Sequence, residues 1–137
     1  MDPRDFLKVA NKLHASQEEG DRRTSVSRAY YALFLSARDL LEAESLPITR
    51  SPHVHQDVPD YLRDSGDQTI EDVGDAIVVL RHERNVADYD MHILKFDQRL
   101  CALLVAKVRA HLQVLDGLNS SARRTIIAAI KAQRGLP

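Results

Sequence analysis

Thirteen consecutive residues, LRHERNVADYDMH at 80–92, gather two arginines, three histidine or tyrosine side chains and three carboxylates. These groups bind anions and move protons. Arginine offers a planar, permanently charged fork that suits phosphate or carboxylate. Histidine exchanges protons near neutral pH. Tyrosine titrates near about 10, so it is a poor base at pH 7, but it donates a hydrogen bond and can stack on a nucleobase.

Positioning these side chains is a problem of helix faces. Val73, Ile77, Leu80 and Arg84 fall at steps of four, three and four, so Arg84 extends an apolar stripe rather than opposing it. A guanidinium there needs partners, because an unpaired buried charge is costly. Asp88 lies one turn on if the helix continues, and Glu44 or Asp39 of an earlier helix could serve across the core. Two roles follow. A buried Arg84 would fix helix register through carboxylates and carbonyls. A partly buried Arg84 beside a cleft would grip an anionic ligand such as phosphate. Arg81 and Asn85 sit on an adjoining face.

Period-3.6 patterning runs through almost the whole chain, and strand-like alternation is absent. Asp2 and Pro3 suit a helix start, followed by Phe6, Val9, Ala10 and Leu13 and a close near Gly20. A second helix spans roughly 21–45, with Tyr30, Leu33, Phe34, Ala37, Leu40 and Leu41 in a stripe wide enough to make it central. Pro47, Pro52 and Pro59 mark a loop over 46–59. A short helix over about 57–65 closes at Gly66. TIED at 69–72 resembles a capping box that opens a fourth helix. After ADYD, which is expected to break or bend that helix, comes a long pattern: Ile93, Phe96, Leu100, Leu103, Leu104, Val108, Leu112 and Leu115. Asn119 to Ser121 can cap a last helix carrying Ile126, Ile127 and Ile130. The expected fold is a single all-α domain over 1–137, an antiparallel bundle of five or six helices.

Bulk properties narrow the classes. At 137 residues and 44% apolar, the chain fits one domain with a real core. A net charge of −1 argues against a strongly basic nucleic-acid protein. The charge is uneven, however. Residues 118–137 carry Arg123, Arg124, Lys131 and Arg134 with no acid, a +4 segment on a −5 body. That basic C-terminal helix docks on the body or a second copy, or else touches phosphate. The single Cys101 forms no intramolecular disulfide, which suits a reducing cytoplasm, and it reads as a buried small hydrophobe. The start lacks a signal-peptide core, and no apolar run approaches the roughly 18 residues of a membrane span.

SRAYYALFLSARDLL at 27–41, followed by LRHERNVADYD at 80–90, resembles the HEPN superfamily of small all-α domains in prokaryotic toxin–antitoxin, defence and CRISPR-linked systems. The likeness covers most of the chain and points to the branch carrying RNxADY. Many HEPN proteins are metal-independent endoribonucleases that need no cofactor. Their motif is an arginine, usually a polar residue, and then a histidine after four to six intervening residues. Two copies meet so that both motifs line one cleft. By resemblance Arg84 and Asn85 hold the arginine and polar positions, and Tyr89 stands at the shortest histidine spacing. His92 comes later, with seven residues between it and Arg84. Candidate catalytic residues are therefore Arg84, Asn85, Tyr89 and His92; candidate binding residues are Arg81, Asp88, Arg28 and Tyr31.

The resemblance implies a homodimer that binds RNA or a partner protein, such as a nucleotidyltransferase-type antitoxin. The alternative is a ribonuclease toxin using Arg84 with His92 or Tyr89. A third reading makes Tyr89 a modification target. The HVH at 53–55 with Asp57 has metal-like composition, but no helical HxxxH pair supports a metal site, and a solvated loop is the plainer expectation. Tyr30 and Tyr31 are expected to pack inside the bundle, and RTS at 23–25 carries no sharp meaning.

Overall fold

A computed structural model describes residues 1–137. The chain forms six helices and no strands: α1 (Arg4–Leu13), α2 (Glu19–Ala43), α3 (Val54–Arg63), α4 (Gln68–Tyr89), α5 (Gln98–Asp116) and α6 (Ser120–Arg134). The all-α bundle expected from periodicity is present. No helix is long and apolar enough to cross a membrane.

α2 is the central element. It touches α1, α3, α4 and α5, and Ala29, Tyr30, Ala32, Leu33, Phe34, Ala37 and Leu41 are buried along its length. Around it one apolar cluster gathers Ala10 of α1, Val58 and Leu62 of α3, Ile70, Val73, Ile77 and Leu80 of α4, Leu104, Val108, Leu112 and Leu115 of α5, and Ile126, Ile127 and Ile130 of α6. Each buried aliphatic side chain contributes about 1.5–3 kcal/mol by leaving water.

Helix ends depart from expectation, each for a local reason. α1 stops at Leu13, not near Gly20, because residues 14–18 turn tightly. The Glu18 amide donates to Ser16 Oγ at 3.1 Å, and Arg22 Nη1 donates to the carbonyls of Ser16 and Gln17. Gly20 instead lies in the first turn of α2. α4 is capped by Asp67, whose carboxylate accepts from the amides of Thr69 and Ile70, so Thr69 is not the cap of a TIED box. These bonds hold the Asp67 carboxyl below the usual range, the Thr69 hydroxyl contributing most. ADY stays helical, and α4 breaks only at Asp90. α5 starts after Asp97, which accepts from the Leu100 amide, so Ile93 and Phe96 belong to the preceding turn. Leu103 is 61% exposed, off the Leu104–Val108–Leu112 stripe.

α3 begins at Val54, three residues before the expected start, and carries Pro59 inside it. Proline has no N–H, so the carbonyl of His55 loses its helical partner. α3 packs closely on α4 at Gly74, where a Cβ would lie 2.9 Å from the Pro59 carbonyl oxygen and 3.2 Å from Leu62 Cβ. α6 docks through Arg134, which donates to Asp64 at 2.8 Å and sits 4.3 Å from the Tyr61 ring centre. At least this part of the basic C-terminal helix folds onto its own body.

Candidate functional site

The candidate surface is built where α2 and α4 run antiparallel. Ser27 of α2 donates to Asp88 of α4 at 3.2 Å, and four residues further along α2 the Tyr31 ring faces Arg84, four residues back along α4. Equal steps in opposite directions keep one register through two turns. That register puts Glu44 three to four turns from Arg84, about 20 Å along the axis. Neither Glu44 nor Asp39 pairs with Arg84; the partner is Asp88, one turn on in the same helix, at 3.1 Å.

Arg84 is neither sealed nor free. Its side chain is 16% exposed. Nη1 donates to Asn85 Oδ1 at 2.9 Å, while Nε lies within ion-pair distance of Asp88 without hydrogen-bond alignment. The guanidinium carbon stands 5.2 Å from the Tyr31 ring centre and 5.7 Å from that of Tyr89. Arg28 also lies over the Tyr31 ring, at 5.3 Å, and 4.8 Å from the Phe6 ring centre. The result is a strip of alternating cations and rings: Arg28, Tyr31, Arg84, Tyr89. Desolvated contacts of this kind contribute about 0.5–2 kcal/mol each. Tyr89 is 74% exposed, so its ring is open to a ligand.

Six of the eight residues singled out from sequence thus meet: Arg28, Tyr31, Arg84, Asn85, Asp88 and Tyr89. Arg81 lies one turn back along α4 and makes no ion pair or hydrogen bond with the rest of the chain. His92 follows the Asp90 break and stands exposed in a turn, so it does not continue the Arg84 face. The register-fixing arginine considered for position 84 is in fact Arg23. This side chain is 7% exposed, and its guanidinium donates to the carbonyls of Val86, Ala87, Asp90 and Ile93 at the end of α4. It also pairs with Glu19 at 3.1 Å and lies 5.1 Å from the Phe96 ring centre. RTS at 23–25 therefore has a clear structural meaning.

Sequence reasoning also missed His55. It lies in the first turn of α3, not in a solvated loop. Its ring stacks on Phe34 at 4.6 Å, and Nδ1 is 2.7 Å from the Tyr30 hydroxyl. Its spacing to Val58 and Leu62, three and seven residues, was a helical signal hidden by the flanking prolines. Burial pushes the His55 pKa below its ordinary value, and Arg81 and Arg84 push it the same way. Burial likewise raises that of the Tyr30 phenol well above its usual range. No cluster of three or more His, Cys, Asp or Glu side chains is placed to hold a metal ion.

No protein-family model matches the chain. No solved structure matches it. Among curated proteins, the chain is similar to an uncharacterized protein of Methanocaldococcus jannaschii, 28% identical over 107 residues, which is 65% of this chain. The match spans 60% of that relative's length.

Proposed function

We propose that the chain is a HEPN-type module of a prokaryotic toxin–antitoxin, defence or mobile-element system, which pairs with a second copy of itself and binds single-stranded RNA. One observation carries this reading. Arg28 and Arg84 both stand over the Tyr31 ring, and the exposed ring of Tyr89 lies beyond Arg84. Cations that track phosphates, beside an exposed ring such as that of Tyr89 on which a base can stack, are the working parts of single-strand binding, and stacking contributes about 1–3 kcal/mol per base. Binding is favoured over cleavage because the strip lacks a base suited to neutral pH. Tyr89 is a phenol, and the helix ends before His92. Support for a second copy comes from Leu94, 81% exposed, and from Met91 beside it, which leave apolar surface at the end of the strip.

Fluorescence anisotropy with a labelled single-stranded RNA tests the proposal. Binding is expected to weaken as salt rises, and Arg84→Ala is expected to reduce the salt slope by about 0.7. Sedimentation should give a dimer that Leu94→Asp dissociates. A dimer that ignores RNA would point to a protein partner instead. RNA degradation in the presence of chelator, lost in Arg84→Ala, would replace this proposal with the ribonuclease reading.

A further inference from the structure

Arg81 of α4 and His55 of α3 both have unused hydrogen-bonding capacity. The Arg81 guanidinium is half-buried, and it forms no ion pair, hydrogen bond or ring contact within the chain. It borders an open hollow of about 330 Å³ together with Pro52, His53 and Gln56. Pro52 and His53 lie just before α3 and Gln56 in its first turn, the turn that also carries His55.

The His55 ring is held rigidly. Phe34 stacks on one face at 4.6 Å, and the Tyr31 ring meets it edge-on at 6.3 Å. The Tyr30 hydroxyl has one neighbour to which it can donate, His55 Nδ1 at 2.7 Å. A phenol hydrogen left without an acceptor in this setting would be costly. Tyr30 therefore donates, Nδ1 accepts, and the ring proton sits on Nε2. Nε2 has no protein partner and is not among the buried unpaired atoms, so its N–H faces solvent. This arrangement makes His55 a fixed donor and unfits Nε2 as a base. Burial first, and then the charges of Arg81 and Arg84, lower the pKa of the ring.

We propose that the Arg81 guanidinium, at the hollow beside the start of α3, binds a phosphate group, with the His55 Nε2–H of the adjoining turn as its second donor. Arginine matches phosphate through its fork, and a neutral imidazole adds a directed donor. His53 and Gln56 also line the hollow, both exposed, and Gln56 donates to Asp60. Tyr30 acts as a positioning residue, setting which nitrogen of His55 carries the proton. The site adjoins the Arg84 strip, with Tyr31 as a shared neighbour, and deepens the RNA reading by naming a phosphate subsite whose donors, Arg81 and His55, are not themselves in the strip.

Side-chain nitrogen NMR of the histidines tests the assignment. His55 is expected to show a protonated Nε2 and an unprotonated Nδ1. Tyr30→Phe, which keeps the ring stack, should shift that tautomer balance. Titration with inorganic phosphate should move the His55 signals, and Arg81→Ala should weaken the interaction about tenfold, with Arg81→Lys intermediate. Two RNA oligomers of one sequence, with 5′-phosphate and 5′-hydroxyl ends, separate the sources. A preference for the phosphorylated end, lost in Arg81→Ala, identifies a terminal phosphate. Equal binding, weakened alike by Arg81→Ala, identifies an internal phosphodiester. His55 signals unmoved by inorganic phosphate and by both oligomers would overturn the proposal. Oligomer binding that persists in that case would leave the Arg84 strip standing.

Discussion

Truncating Arg23 to alanine should be the most damaging single change near the site, although Arg23 faces no ligand. Its Nη1 reaches the carbonyls of Val86, Ala87 and Asp90 at 3.3, 3.0 and 3.0 Å, and Nη2 reaches that of Ile93. The last carbonyls of a helix have no partner within it. Arg23 therefore finishes α4 and anchors the turn that leads to Phe96. A hydrogen bond to a charged group contributes about 1.5–3 kcal/mol net. Simple addition overshoots, because water can reach the carbonyls of exposed Asp90 and Ile93 once the side chain is gone. The Glu19 pair adds little, since that carboxylate is 45% exposed. A loss of about 3–5 kcal/mol remains, typical of breaking a buried charged network. With an unfolding entropy of about 2.1 cal/mol/K per residue, this lowers Tm by roughly 10–17 °C. Thermal unfolding followed by circular dichroism measures it. Arg23→Lys keeps the charge but not the fork and should fall between. Faster hydrogen exchange at the Asp90 amide, which donates to Val86, should accompany both changes. A Tm within about 3 °C of the parent for Arg23→Ala would refute the idea that these carbonyl bonds hold the end of α4.

Gly74→Ala should destabilise the fold by about 1–3 kcal/mol in urea titration, because its Cβ would press on the Pro59 carbonyl at 2.9 Å. Asp88→Asn should tighten RNA binding a few-fold in anisotropy, since it removes the carboxylate that partly neutralises Arg84, while costing little stability. His55 and His111 both have depressed folded-state pKa values, first through burial. Below the unfolded value near 6.5 the unfolded chain binds more protons, so their contribution to stability is full above that pH and declines as pH falls. Chemical denaturation between about pH 7 and pH 5 should show that decline, and His55→Phe should flatten part of it.

The features legible in the sequence are those set by short spacings. α2 announces itself as central because its apolar residues leave little of the girth polar, and burial within one helix is a local pattern. Arg84 and Asp88 are four residues apart, so their pairing follows from helix geometry once the helix is known to continue. Phe96 misled for the same reason. It is apolar and falls on the α5 period, yet it is buried as part of a turn, under Arg23, with its carbonyl accepting from Arg22. The contacts of Arg23 with α4 span 63 to 70 residues and end on backbone carbonyls, which carry no residue type to recognise. His55 was obscured in another way. Its place beside Tyr30 and Phe34 depends on how α3 crosses α2, and that crossing depends on Gly74 admitting α3 against α4. A site assembled from one helix and its i+4 neighbours can be read from the chain. The part that comes from α3 had to wait for helix packing, because His55 meets Tyr30 and Phe34 only once α3 has packed against its neighbours, closely at Gly74 of α4.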